Sequence, residues 1–394
     1  MTTTTIAAPA LTASVAGPRP SLASFGPNWF ACVMGTGIVA NAAATLPVQP
    51  WGLLEAARVV WVLDVALLLV VLTATAVHWL HHPVAARGHL DDPTMAHFYG
   101  APAMALLTVG AGALLVGQPL IGTEAAIAVA AVLWSAGTVL GLATAVVVPY
   151  RAFTTHRVGV DAAFGGWLMP VVPPMVSAAT GPLLIAHLPP GDLRLTLHLA
   201  CLMMFGLTLV VSPMIITLIW GRLMHHQVGA AAAVPTLWIV LGPLGQSITA
   251  SHTLAVTAPA SLPAPYGDAV ATLDVLFGAP MWGFALLWAS LALALTVRAA
   301  RTTPAGLPFT LTWWSFTFPV GTLVTGTSGL AAATGAPFLV VAAVALYVAL
   351  VAAWLLVASR TLWGVRAGDL LRAPGEGAAG SAGQRLSSTG SKSS

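Results

Sequence analysis

Apolar residues in this chain gather into repeated runs of twenty or more, separated by short polar stretches. A helix of that length crosses the roughly 30 Å of hydrocarbon in a bilayer. The pattern predicts spans at about 25–46, 56–80, 95–117, 123–149, 163–187, 192–220, 234–257, 268–298, 307–333 and 336–360. The expected fold is an all-α integral membrane protein of ten transmembrane helices. Residues 1–24 read as a disordered arm rich in Thr, Ala and Pro, 25–360 as the membrane domain, and 361–394 as a disordered tail turning to Gly, Ala and Ser.

The odd-numbered spans differ from the even ones at their centres, which hold Gly and Pro where a helix should be continuous. The third carries YGAPAM around Pro102, the fifth LMPVVPPMVS around Pro174, the seventh LGPLGQS around Pro243 and the ninth FTFPVGT around Pro319. The first offers the glycine pair Gly35 and Gly37 in VMGTGI. Successive prolines are 72, 69 and 76 residues apart, so one helical hairpin repeats along the chain. Short repeats that each present an irregular helix are buried best with those helices around a common axis. The expected architecture is five hairpins around a central pore lined by the odd helices.

Composition agrees and narrows the class. Apolar residues make up 58% and charged residues 6%, against about 25% charged in a soluble domain. Net charge is +3, but the basic residues lie in loops and tail, which argues against nucleic acid as a partner. Under a ten-span topology twelve of them share the face of the termini and only Arg58 and Arg194 lie opposite, which predicts both termini in the cytoplasm. Cys32 and Cys201 fall inside apolar runs and form no metal or disulfide pattern.

Proline inside a membrane helix frees a carbonyl, and at bilayer depth such a break survives where protein or water satisfies it. A water-filled path would do so. The odd spans also collect neutral polar groups, among them Thr36, Ser177, Gln246, Ser247 and Thr322, and hold no Lys, Arg, Asp or Glu. An anion there would be held by hydroxyl and amide donors and by helix N-termini. The alternative for each small residue is close helix packing. Asp64 sits mid-span in the second helix, where an ionised carboxylate costs about 2.5 to 3.5 kcal/mol. It reads either as a proton-coupling group or as a buried helix-to-helix hydrogen bond. Asp274, nearer the end of the eighth span, reads as interfacial.

One reading from another class is an intramembrane oxidoreductase, from HWLHH at His78, His81 and His82. A di-iron site needs several such boxes, and only His225 and His226 form another pair. Asp91 and Asp92 supply half of a prenyltransferase aspartate motif without the second half. No catalytic residue, metal or cofactor is assigned.

The segments FGPNWFACVMGTGIVANAAATLP, WLMPVVPPMVSAATG, LWIVLGPLGQSITASHTL and LTWWSFTFPVGTLVTGT together resemble the tellurite-resistance/dicarboxylate transporter family, which includes plant slow anion channels, fungal malate permeases and fungal sulfite efflux pumps. The likeness covers residues 25 to 360. It implies ten helices as five hairpins with odd helices lining a pore, a homotrimer in the plasma membrane, and a small anion as substrate, malate or sulfite, with chloride, nitrate and tellurite resistance as the family's other options. It also implies a phenylalanine plug from the ninth helix, at Phe318, or at Phe316 two residues earlier.

Overall fold

The structure, a computed structural model, describes residues 22–304 and 306–371. Among these every regular element is helical. The arm's residues 1–21 and the tail's residues 372–394 lie outside the described residues.

Among the described residues seven helical stretches are long and apolar enough to cross a membrane. Five are long single helices: α2 (Leu53–His81), α6 (Thr123–Thr154), α8 (Asp192–His226), α10 (Tyr266–Thr302) and α12 (Pro337–Arg366). Two are composite. Met95–Ile121 contains α4 (Gly100–Gly112), a π turn at Ala113–Gly117 and the short α5 (Gln118–Ile121), while Ala231–Ser261 contains α9 (Leu241–Ser261). Shorter helices complete the set: α1 (Phe30–Thr45), α7 (Pro173–Ile185), α11 (Phe318–Thr334) and the peripheral α3 (Pro83–Asp91). The last long helix runs past the end expected at residue 360, to Arg366, and a 3-10 turn at Asp369–Leu371 follows. Thr361 explains the extension, because its hydroxyl accepts the indole N–H of Trp314 at 3.1 Å and ties that turn to the body.

The short helices share one construction. Each of α1, α4, α9 and α11 follows a 3-10 segment, respectively Pro27–Trp29, Met95–Tyr99, Ala231–Val240 and Leu311–Phe316, and α7 follows one at Gly165–Leu168. This corrects the expected proline breaks. Pro102, Pro174, Pro243 and Pro319 each lie in the first turn of an α-helix, where the missing N–H has no intrahelical acceptor to lose. The interruption is the change from 3-10 to α pitch just before them. Gly35 and Gly37 do not break α1, which is continuous.

Contacts among the short helices close into a ring: α1 meets α4, α4 meets α7, α7 meets α9, α9 meets α11, and α11 returns to α1. Each long helix straddles one joint from outside, α2 on α1 and α4, α6 on α4 and α7, α8 on α7 and α9, α10 on α9 and α11, and α12 on α11 and α1. Burial follows this division. Every residue of α11 from Phe318 to Ala331 is buried, whereas α2 exposes Val59, Val62, Leu69 and Val70. A helix apolar on all sides belongs inside, and exposed aliphatic faces suit lipid.

Glycine permits the close approach at the joints. A Cβ on Gly100 or Gly165 would enter the carbonyl oxygen of Met169 or Thr236, and one on Gly245 would lie 2.5 Å from Leu323 N. At the last joint Gly321 receives Ile38, and Gly35 receives Thr317 and Trp314.

Candidate functional site

The axis of this ring holds a cavity lined by all five inner segments: Ala31 and Met34, Phe98 and Met104, Met169 and Val172, Ile239 and Gly242, and Trp314, Ser315 and Phe318. Most are in or beside the first turn of α1, α4, α7, α9 or α11. Five helix N-termini, whose leading N–H groups lack intrahelical acceptors and carry positive partial charge, therefore converge on one small space with room for about one water. The wall is otherwise apolar, and no Lys, Arg, Asp or Glu occurs on the inner segments from the 3-10 turns onward. Such a place favours an anion by dipoles rather than by a counter-charge.

Phe318, 2% exposed, closes one side of the cavity at the head of α11. Phe316, the alternative plug, instead packs edge-on against Trp238 and Trp313, with ring centroids 5.6 and 5.8 Å away.

The expected polar lining divides differently. Thr36 accepts the indole N–H of Trp354 at 3.1 Å, joining α1 to α12. Ser177 accepts from Thr138 at 2.9 Å and donates to Pro173 O, joining α7 to α6. Thr322 donates to Pro319 O at 2.7 Å and approaches Leu241 O at 3.3 Å on α9. Ser247 donates within its own helix at 2.8 Å and faces a cavity beside α8. Thr36, Ser177 and Thr322 thereby link neighbouring helices. Gln246 alone of the five keeps a buried amide oxygen without a partner.

Asp64 points from α2 between α1 and α4. It is 0% exposed, its Oδ2 lies where a Cβ on Gly37 would stand, and neither oxygen has a hydrogen-bond partner. The helix-to-helix hydrogen bond is not made. Its neighbour Asn41 donates to Thr108 O at 3.0 Å, and Trp61, one turn before Asp64, donates to Val109 O at 3.1 Å beside the π turn. Asp274 is 4% exposed, and its Oδ2 lies 2.8 Å from His252 Nδ1, so its carboxylate faces α9 inside the bundle. A sequence signal existed, two polar residues 22 positions apart on consecutive apolar helices, but nothing in either span fixed the register.

Of the histidines of HWLHH, His78 and His82 lie with ring centroids 6.0 Å apart, and His81 points away. His78 is buried with Nδ1 2.7 Å from Leu22 O and its ring 5.2 Å from that of His89, while His81 is exposed. Burial, and then the adjacent His78, push the His89 imidazole below its ordinary range. Among the described residues no group of three or more His, Cys, Asp or Glu could hold a metal ion. Asp91 pairs with Arg151, and Asp92 caps the backbone N–H groups of Thr94 and Met95 at 2.8 and 2.7 Å.

The chain is similar to known transport proteins. The sulfite efflux pump SSU1 of Arthroderma otae is 30% identical over 314 residues, covering 78% of this chain and 82% of that protein. SSU1 of Trichophyton rubrum is 28% identical over 349 residues, 87% of this chain and 91% of the pump. The uncharacterized transporter MJ0576 of Methanocaldococcus jannaschii is 27% identical over 306 residues, 76% and 82% of the two chains. The model of the voltage-dependent anion channel family matches residues 24–362, and the chain belongs to that family.

Proposed function

We propose that this protein conducts sulfite or hydrogensulfite along the axis of the helix ring, with Phe318 as the gate. The observation that carries the reading is the convergence of five helix N-termini on a charge-free cavity bordered by the Phe318 side chain. Dipoles hold an anion without trapping it, which suits passage. The small cavity favours a compact inorganic anion over a C4-dicarboxylate such as malate, and the fungal relatives are named as sulfite pumps.

In this reading the chain makes ten spans as five hairpins, with the odd helices lining the pore. The 3-10 lead-ins support it: Leu311–Phe316 at about 2.0 Å per residue, continued by α11 at about 1.5 Å, exceeds the roughly 30 Å of hydrocarbon. Both termini face the cytoplasm of a plasma-membrane protein by the distribution of basic residues, and the assembly is a homotrimer.

Purified protein in liposomes is expected to move sulfite faster than malate, chloride or nitrate, measured with and without a pH gradient. Malate as the fastest cargo would transfer the protein to the dicarboxylate branch. Chloride or nitrate in first place would make it a general anion channel.

Asp64 serves packing in this scheme. A carboxyl fully enclosed behind Gly37, with no opening toward the axis, is badly placed to exchange protons with the path. Asp64→Asn, nearly equal in size, is expected to leave the pH dependence of uptake unchanged, and a changed profile would establish proton coupling there.

A further inference from the structure

Beyond Phe318, on the side away from the termini, α9 and α11 carry a second polar cluster. Residues 318, 322, 325 and 329 share one face of α11 by helical periodicity. Thr325 on that face lies 2.7 Å, oxygen to oxygen, from Thr249 of α9. One turn farther along α9, His252 leans over Gly329, close enough that a Cβ there would meet the imidazole Cγ at 2.7 Å. The ring therefore stands on the face that Phe318 defines.

Its Nδ1 is engaged by Oδ2 of Asp274 on α10 at 2.8 Å, which fixes the ring and leaves Nε2 as its free nitrogen. Asp274 is buried, and its Oδ1 has no partner. The inner segments carry two imidazoles, and the other, His97, is enclosed by Phe164 and Trp167 before the cavity. Among the described residues α7 and α11 contain no titratable side chain, His198 of α8 reaches α9 at Thr257, 3.4 Å away and more than a turn on, and the other titratable groups of α10, Tyr266 and Asp268 at its head and Arg298 and Arg301 at its far end, lie more than a turn from Asp274.

We propose that the His252–Asp274 pair is a proton-linked binding station for the transported anion in this half of the path, a proposal that rests on the anion route described above. The station takes a small oxyanion through the Nε2–H of His252, and Asp274 is the positioning residue. The sign follows from charge. With His252 neutral the pair bears the carboxylate's negative charge and repels an anion. With His252 protonated the pair is neutral overall, and an N–H donor is available at Nε2. A bound anion and a bound proton therefore favour each other reciprocally.

The test is uptake of sulfite, and separately of nitrate, by the full chain in liposomes as the pH on the His252 side is varied from about 5 to 8. Wild type, His252→Gln and Asp274→Asn are compared. Dividing the wild-type rate by that of His252→Gln removes the titration of sulfite itself, since both proteins meet the same anion. That ratio is expected to rise at least about fivefold toward low pH, and Asp274→Asn, which removes the carboxylate that orients the ring, is expected to lessen the rise while retaining transport. Superimposable profiles for wild type and His252→Gln would overturn the station.

Nitrate flux with the His252-dependent profile but no sulfite flux would overturn the sulfite reading and leave the station standing. A measurement on wild type alone covers variants that do not fold. Modification by diethyl pyrocarbonate, located by peptide mass spectrometry, should slow at His252 when sulfite or nitrate is present, and equal modification with and without either anion would refute binding there.

Discussion

Phe318→Ala is expected to raise anion flux about tenfold or more, the equivalent of lowering the barrier by about 1.4 kcal/mol. The ring is nearly inaccessible and borders the cavity at the N-terminus of α11. In the proposed gate, removing it is expected to join that cavity to the polar stretch of Thr249 and Thr325 beyond. Truncating a buried phenylalanine typically costs about 3 to 5 kcal/mol of stability, so flux must be normalised to folded protein. Phe318→Leu, which keeps bulk without the planar ring, is expected to fall between wild type and alanine. Phe316→Ala provides the contrast. It removes an edge-on contact with Trp238 and Trp313, away from the cavity, and should change stability more than flux. Liposome efflux of sulfite checks the series, and unchanged flux in a folded Phe318→Ala protein would remove the gate.

What the sequence disclosed and what it hid divide along physical lines. Hydropathy and the proline period mark the interrupted segments because both are one-dimensional signals. Pro102, Pro174, Pro243 and Pro319 do mark where each α-helix starts. Their local geometry was less legible, since a first-turn proline and a mid-helix kink have the same sequence. The polar groups were hardest to place. Thr36 and Trp354 lie 318 residues apart, so nothing local announces that the hydroxyl serves the indole instead of an axial path. Asp274 illustrates the same limit: its position near a predicted span end gave no sign of His252 on α9, the partner that its carboxylate meets.

The largest loss of stability is expected from Gly165→Ala. A Cβ there would overlap the carbonyl oxygen of Thr236, and both partners are main-chain atoms of 3-10 lead-ins, so no flexible side chain can yield. The two backbones must separate. In an open bundle one helix could drift outward, but here the α7–α9 joint belongs to a closed ring, and its displacement must be absorbed at the joints held by Gly100, Gly245 and Gly321. Overpacking a tight interior contact typically costs about 1 to 3 kcal/mol, and a main-chain clash falls at or above the upper end. The expected outcome is failure to recover monodisperse protein in detergent, or a melting temperature lowered by about 10 °C. Gly206→Ala on α8 is the control, because no atom lies within 4 Å of its Cβ position and replacing glycine within a helix favours folding by about 0.5 to 1 kcal/mol. Equal recovery and equal melting of the two variants would mean that the inner ring tolerates separation at a joint, and its close main-chain approach would then no longer account for how the axial cavity stays small.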